Sequence, residues 1–289
     1  MNSNLIVLHN VNKKNKVIVF PNAKINLGLA ITAKRSDGFH NLETVFYPIG
    51  LCDTLEILAA PNSKKAITFS ASGIPIPGDT SSNLCIAAYN LVAKDYRLPA
   101  VKIHLHKKIP IGAGLGGGSS DAAFFLKALN SLFELNLSFG ELHHYARMLG
   151  SDCSFFINNQ PVFATGKGDE MEAIPLSLSG KYLVLIKPDI PISTKEAYSN
   201  VIPKNPINSI ENSCLQSISS WRNSLHNQFE DTIFKGFPEI SKIKEQLYAR
   251  GAIYASMSGS GSSVYGIFDA EIDLSTTFKG NFIWQETLR

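Results

Sequence analysis

Pro110-Ile111-Gly112-Ala113-Gly114-Leu115-Gly116-Gly117-Gly118-Ser119-Ser120-Asp121 sets five glycines within the seven residues from 112 to 118. Without a Cβ, glycine lets backbone N–H groups turn inward on one small volume. A helix starting there adds its positive N-terminal end, so a bound anion is stabilised twice. The flanks distinguish this loop from a linker. Before it, Val101, Ile103 and Leu105 alternate with Lys102, His104 and His106, as in a half-buried strand. After it, apolar residues at 122, 126, 129 and 133 recur at helical spacing. Strand, glycine turn and helix in that order read as a phosphate cradle held at both ends.

Elimination narrows the kind of cradle. A Walker A loop needs Lys-Ser/Thr after its last glycine, and Gly118 is followed by Ser119-Ser120. Gly112-x-Gly114-x-x-Gly117 has dinucleotide-binding spacing, but that motif follows a buried apolar strand and leads through its helix to a second parallel strand. Here Pro110 and a charged alternating strand precede the glycines, and a second helix follows. The protein-kinase glycine loop is excluded because no His-Arg-Asp or Asp-Phe-Gly follows. The stretch resembles the ATP-binding loop of the GHMP kinases, small-molecule kinases of galactose, homoserine, mevalonate and phosphomevalonate. That resemblance implies ATP held along Pro110 to Ser120, with Ser119 or Ser120 helping to place Mg²⁺.

Composition sets the outer bounds. With 289 residues, 44% of them hydrophobic, the chain can bury a sizeable core in one large or two ordinary domains. A net charge of +3 is too small to argue for nucleic acid or a membrane surface, and the basic run 102–108 reads as a solvated strand face. The four cysteines, at 52, 85, 153 and 214, have neither metal-site spacing nor a disulfide framework, which suits a reducing compartment. No apolar run approaches the roughly 20 residues of a membrane span. The patch Leu5 to Leu8 is too short for a secretory signal. A cytoplasmic location is expected, with residues 1–16 as an N-terminal extension.

Along the chain, Ile25, Leu27, Leu29 and Ile31 form the apolar register of a strand whose other face carries Lys24 and Asn26. Two residues along a strand rise roughly 6 to 7 Å, so both polar groups can serve one ligand. Asp37-Gly38 reads as a turn, residues 44–47 as its return strand, 55–57 and 67–69 as further strands, and 72–79 as a loop. Asn83 reads as the N-cap of a helix carrying Leu84, Ala87, Ala88 and Leu91. Ser138-x-x-Glu141 is a capping box opening a helix that Gly150 ends, which leaves Asp152 as a cap or turn residue. A hairpin over 162–174 places a domain boundary near 173. Beyond an apolar strand at 182–186, Ser193-x-x-Glu196 opens a helix containing Tyr198, and residues 200–220 read as a surface connection. A helix from Pro238 follows. A second glycine turn with Gly259 and Gly261 then lies between strands at 253–255 and 264–268.

Two further segments extend the resemblance, which spans residues 19 to about 268. Pro21-Asn22-Ala23-Lys24-Ile25-Asn26-Leu27 and Asp37-Gly38-Phe39-His40 resemble the opening of the GHMP kinases whose acceptor carries a cytidine diphosphate. The implied fold is α+β in two domains, with the active site in the cleft between them. These are an N-terminal ATP-binding α/β domain (17–173) and a C-terminal ferredoxin-like α/β sandwich (174–289). Gly150-Ser151-Asp152-Cys153-Ser154-Phe155-Phe156 matches the family's Gly-Ala-Asp-Val-Pro-Phe-Phe, so Asp152 and Lys24 are the implied catalytic residues. Asn83 is implied beside the adenine. Asn26, Phe39, His40, Thr194, Tyr198, Gly259 and Gly261 are implied at the acceptor, with His40 and Tyr198 sandwiching the pyrimidine. Asn22 and Ser154 stand where the family has Pro, and Phe39 where Tyr is common. The implied partners are ATP, Mg²⁺ and the small-molecule acceptor, without nucleic acid or membrane, the chain acting as a monomer or homodimer. Three rivals are weighed. Another GHMP kinase is opposed by Asp37 to His40, a dehydrogenase by the missing second strand, and a non-catalytic nucleotide-binding regulator by the presence of both Lys24 and Asp152.

Overall fold

The structure is a computed structural model that describes residues 15–199 and 201–289. Residues 1–14 of the expected N-terminal extension lie outside the described residues. In chain order, β1 (Lys16–Val19), β2 (Asn22–Lys34), β3 (His40–Cys52), β4 (Thr54–Ala59) and β5 (Ile67–Gly73) lead to α1 (Leu84–Val92) and β6 (Val101–Lys107). Then α2 (Gly117–Leu132), α3 (Phe139–Leu149) and α4 (Cys153–Asn158) precede β7 (Val162–Thr165) and β8 (Glu170–Ala173). The rest runs through β9 (Tyr182–Lys187), α5 (Thr194–Ser199), α6 (Ile210–Cys214), α7 (Ile218–Ser224), α8 (Glu230–Gly236) and α9 (Pro238–Ala249). It closes with β10 (Tyr254–Met257), β11 (Val264–Phe268) and β12 (Phe282–Thr287). Packing divides the chain into two compact units, each discontinuous in sequence. Of the described residues, the first takes 15–23, 51–111 and 116–159; the second takes 24–50, 112–115, 160–199 and 201–289.

In the first unit the sheet has the order β1-β4-β6-β5, with β5 parallel to β6 and the other pairs antiparallel. The alternation along β6 buries Val101, Ile103 and Leu105, of which Ile103 and Leu105 pair with the buried Ile57 and Leu55 of β4. Helix α2, with Ala122, Leu126 and Leu129 buried, packs on β1 and β4. The expected loop at 72–79 begins later, because the parallel ladder carries β5 through Gly73 opposite Lys107. The capping box of α3 forms with both its bonds, Glu141 N–H to Ser138 Oγ and Ser138 N–H to the Glu141 carboxylate.

The second unit holds two sheets, β2-β3-β7-β8 and β10-β11-β9-β12. The stretch Lys24 to Ile31 of β2 is buried on both faces, beyond the one-sided pattern in the sequence. The cover is α6, inside the segment read as a surface connection, and α7, which starts at its end. A Cβ on Gly28 would stand 3.2 Å from Leu225 and 3.3 Å from Ile210, and Trp221 of α7 is fully buried. Ser209 caps α6, its Oγ accepting the Asn212 N–H. In the third sheet, α9 packs on β10 and β11 through Ile240, Ile243 and Leu247. The closing residues form β12, antiparallel to β9. None of the described helices is long and apolar enough to cross a membrane.

Candidate active site

The helix after the glycine loop starts bare. Gly116, its N-cap, has φ 70 and offers no side chain, and the first intrahelical bond is Ser120 N–H to Gly116 C=O at 2.9 Å. The N–H groups of Gly117, Gly118 and Ser119 precede that first bond, which is the arrangement that receives an anion. Ser120 Oγ is buried and without a protein partner. Ser119 Oγ is hydrogen-bonded to Cys153, whose thiol burial pushes up to about 11. In the same unit lies a cavity of about 570 Å³ whose lining includes the apolar Phe69, Pro75, Leu84 and Ile111 together with Asn83 and Gly118. That volume lies within the range of small-molecule sites. Asn83 caps α1 as expected, its Oδ1 accepting the Cys85 N–H at 2.9 Å. Asp152 immediately precedes α4 in αR conformation, half-buried, without a side-chain cap bond.

In the second unit, Lys24 is 4% exposed; its Nζ donates to Asn26 Oδ1 at 2.6 Å and to Gly114 C=O at 3.0 Å, and lies 4.9 Å from the Phe46 ring centre. Asn26 Nδ2 donates to Thr44 Oγ1, which donates to Gly28 C=O, so the shared face of Lys24 and Asn26 is a fixed polar network. The second glycine turn grips the first loop here. Ser258 Oγ donates to Gly114 C=O at 2.9 Å and accepts the Asn26 N–H at 3.3 Å. A Cβ on Gly261 would run into the backbone of Ala113 and Gly114, and one on Gly114 into the Ser258 carbonyl. Gly259 and Gly261 are thus explained by close backbone approach to the loop.

His40 opens β3 half-buried, and its ring centroid lies 5.1 Å from that of Tyr198 on α5. Phe39 is 58% exposed, with the Lys167 ammonium 5.2 Å from its ring centre. Thr194 starts α5 and is exposed. The structure therefore brings together Lys24, Asn26, Gly114, Gly259 and Gly261 in one cluster, and His40 with Tyr198 in another.

Several site residues escape the sequence reading. Asn227, fully buried, donates through Nδ2 to the carbonyls of Met257 and Gly259. Glu230 accepts the Met257 N–H at 2.8 Å and the Lys244 ammonium at 2.6 Å, so both residues fix the second glycine turn. Lys107 corrects the solvated reading of 102–108, being 4% exposed and bonded to Asp53 and Asp121. The signal was the register itself, since 107 continues the inward series 101, 103, 105. Among the described residues no group of three or more His, Cys, Asp or Glu is placed to hold a metal ion.

A family model described as the GHMP kinases N terminal domain matches residues 83–167, and one described as GHMP kinases C terminal matches 209–275. The chain is 52% identical to the 4-diphosphocytidyl-2-C-methyl-D-erythritol kinase of Bacteroides thetaiotaomicron, over 93% of this chain and 98% of the relative. It is 50% identical to the kinase of the same name from Bacteroides fragilis, over 94% and 100%. A crystal structure of 4-(cytidine 5'-diphospho)-2C-methyl-D-erythritol kinase superposes with a TM-score of 0.76 at 28% identity, covering 93% of this chain and 98% of the other.

Proposed function

The chain belongs to the GHMP kinases, and from that premise we infer that it uses ATP to phosphorylate 4-diphosphocytidyl-2-C-methyl-D-erythritol in isoprenoid precursor synthesis. The observation that carries this reading is 52% identity to a kinase of that name over nearly the whole of both chains. The domain division is taken at residue 173.

The reaction joins the acceptor's 2-hydroxyl oxygen to the γ-phosphorus of ATP, breaks the bond from that phosphorus to the ADP oxygen, and releases the hydroxyl proton. Phosphoryl transfer has a loose transition state, so positioning and charge supply most of the rate and little early deprotonation is needed. Asp152 receives the proton. Lys24, held by Asn26 and Gly114, supplies positive charge where negative charge develops. The bare N-terminus of α2 and the loop from Pro110 to Ser120 hold the phosphates, and the cavity beside Asn83 takes the base of ATP. The orphaned Ser120 hydroxyl, with Ser119 next to it, fits Mg²⁺, which keeps water and phosphate oxygens and needs one or two protein ligands. Bound there, the ion would neutralise charge on the β- and γ-phosphates. His40 and Tyr198 hold the cytosine, with Asn26, Phe39 and Thr194 around the acceptor.

The direct test follows the phosphorus. Purified protein incubated with γ-labelled ATP and the cytidyl acceptor should move label onto the acceptor, one ADP per phosphoryl group. Label released only as inorganic phosphate would refute the reading.

A further inference from the structure

Asp53 occupies the one-residue junction between β3 and β4 and is fully buried. Its Oδ1 accepts two backbone N–H groups, from Lys108 at 2.6 Å and from Ile109 at 2.8 Å, and its Oδ2 accepts the Lys107 ammonium. Lys107 Nζ donates equally to Asp121 Oδ2 at 2.8 Å, and Asp121 lies one turn into α2. The same Nζ stands 2.9 Å from where a Cβ on Gly117 would be, so the ammonium fills the space that glycine leaves at the first residue of the helix.

One buried cluster thus touches both ends of the glycine loop. Asp53 fixes the chain just before Pro110, and through Lys107 it fixes the helix start just after Gly116. A buried carboxylate with three donors is a rigid anchor, since each bond forgone would leave a charge or an N–H group unsatisfied. A loop whose ends are held in advance loses less freedom when it closes on a ligand, and the saving appears as affinity.

We propose that Asp53 is a positioning residue for the nucleotide loop, acting through the Lys108 and Ile109 amides and through Lys107 toward Asp121. This rests on the reading of that loop as the triphosphate site. The role is separate from chemistry: Asp53 sets the geometry of N–H groups that meet phosphate and touches neither reactant. Asparagine at 53 keeps the oxygen that accepts the two amides and loses the charge that holds Lys107. Alanine loses both.

The test is calorimetric titration with a non-hydrolysable ATP analogue, alongside the KM of each substrate, on wild type, Asp53→Ala, Asp53→Asn and Gly116→Val. Near-ultraviolet circular dichroism establishes folding. Asp53→Ala should bind the analogue about tenfold or more weakly, as lost preorganisation implies, with acceptor KM unchanged within about twofold. Asp53→Asn should recover most of the affinity. If Asp53→Ala fails to fold, Asp53→Asn carries the test with an expected loss of a few-fold confined to nucleotide. Wild-type affinity in a folded variant, or an equal rise in both KM values, would overturn the proposal. If Gly116→Val also binds normally, the reading of the loop itself fails; if Gly116→Val loses binding and the Asp53 variants do not, only the positioning role fails.

Discussion

The rings of His40 and Tyr198 pack directly on each other, centroids 5.1 Å apart and planes tilted by 35°. A flat base held between two rings needs them roughly 7 Å apart, twice a carbon contact of about 3.5 Å. The pair as it stands is closed, and a pyrimidine bound between the rings would part them by about 2 Å. Tyr198 is backed edge-on by Phe229 at 4.9 Å, so His40, beside the exposed Phe39, is the ring with room to move.

Stacking contributes roughly 1 to 3 kcal/mol per base. His40→Ala and Tyr198→Ala are therefore expected to raise the acceptor KM roughly five- to a hundredfold, with ATP KM little changed. Steady-state kinetics varying each substrate decides it, and variants with an unchanged acceptor KM would remove the pair from recognition. Tyr198→Phe keeps the ring against Phe229 and should raise the acceptor KM less than Tyr198→Ala.

Lys24→Ala and Asp152→Asn are each expected to lower kcat on the order of 10²-fold or more at saturating substrates, the scale of a lost general base or charged donor. Rapid-quench measurement of the transfer step checks this. Near-wild-type transfer in folded Asp152→Asn would remove that residue from the chemistry.

Gly261→Ala puts a methyl group into the backbone of Ala113 and Gly114. The expected result is a stability loss of roughly 1 to 3 kcal/mol, as for overpacking elsewhere, together with weaker ATP binding. Urea denaturation and calorimetry measure the two effects, and a variant unchanged in both would show that the turn does not hold the loop. Gly116→Val forces a β-branched residue to φ 70 at the helix cap and should weaken ATP binding about tenfold or more.

Asp121 offers a pH test. Burial and the neighbouring Asp53 carboxylate push its carboxyl up from 3.8 to about 7 against the pull of Lys107. A raised carboxyl binds its proton more tightly folded than unfolded. Its contribution to stability is thus full below 3.8, falls as pH rises toward about 7, and levels off above that. Asparagine has no such proton. Urea melts at pH 5 and pH 8 should show Asp121→Asn gaining stability relative to wild type at the higher pH, and a constant difference would contradict the assignment.

Local features were legible in the sequence because local physics makes them. The glycine loop, the Ser138–Glu141 capping box, the Asp37-Gly38 turn and the inward face of α9 follow from spacing alone. The catalytic reading of Lys24 and Asp152 came from resemblance, since Lys24 on spacing is an ordinary strand lysine. What stayed hidden depends on contacts distant in sequence. The cover over Gly28 comes from residues 210 and 225, the grip on Gly114 from Ser258, and the anchor on Lys107 from Asp53. A linear boundary near 173 likewise carries no sign that 24–50 and 112–115 pack with the later half of the chain.

The central claim is tested most directly by acceptor choice. ATP consumption by the purified protein should be measured as kcat/KM against the cytidyl acceptor, its uridyl analogue, mevalonate, homoserine and galactose. The cytidyl acceptor should exceed its uridyl analogue by roughly tenfold or more, because a site shaped for the amino group of cytosine leaves a buried group unpaired with uracil. Mevalonate, homoserine and galactose should give no turnover above background. Preferred use of any of those three, or equal use of the cytidyl and uridyl compounds, would contradict the assignment.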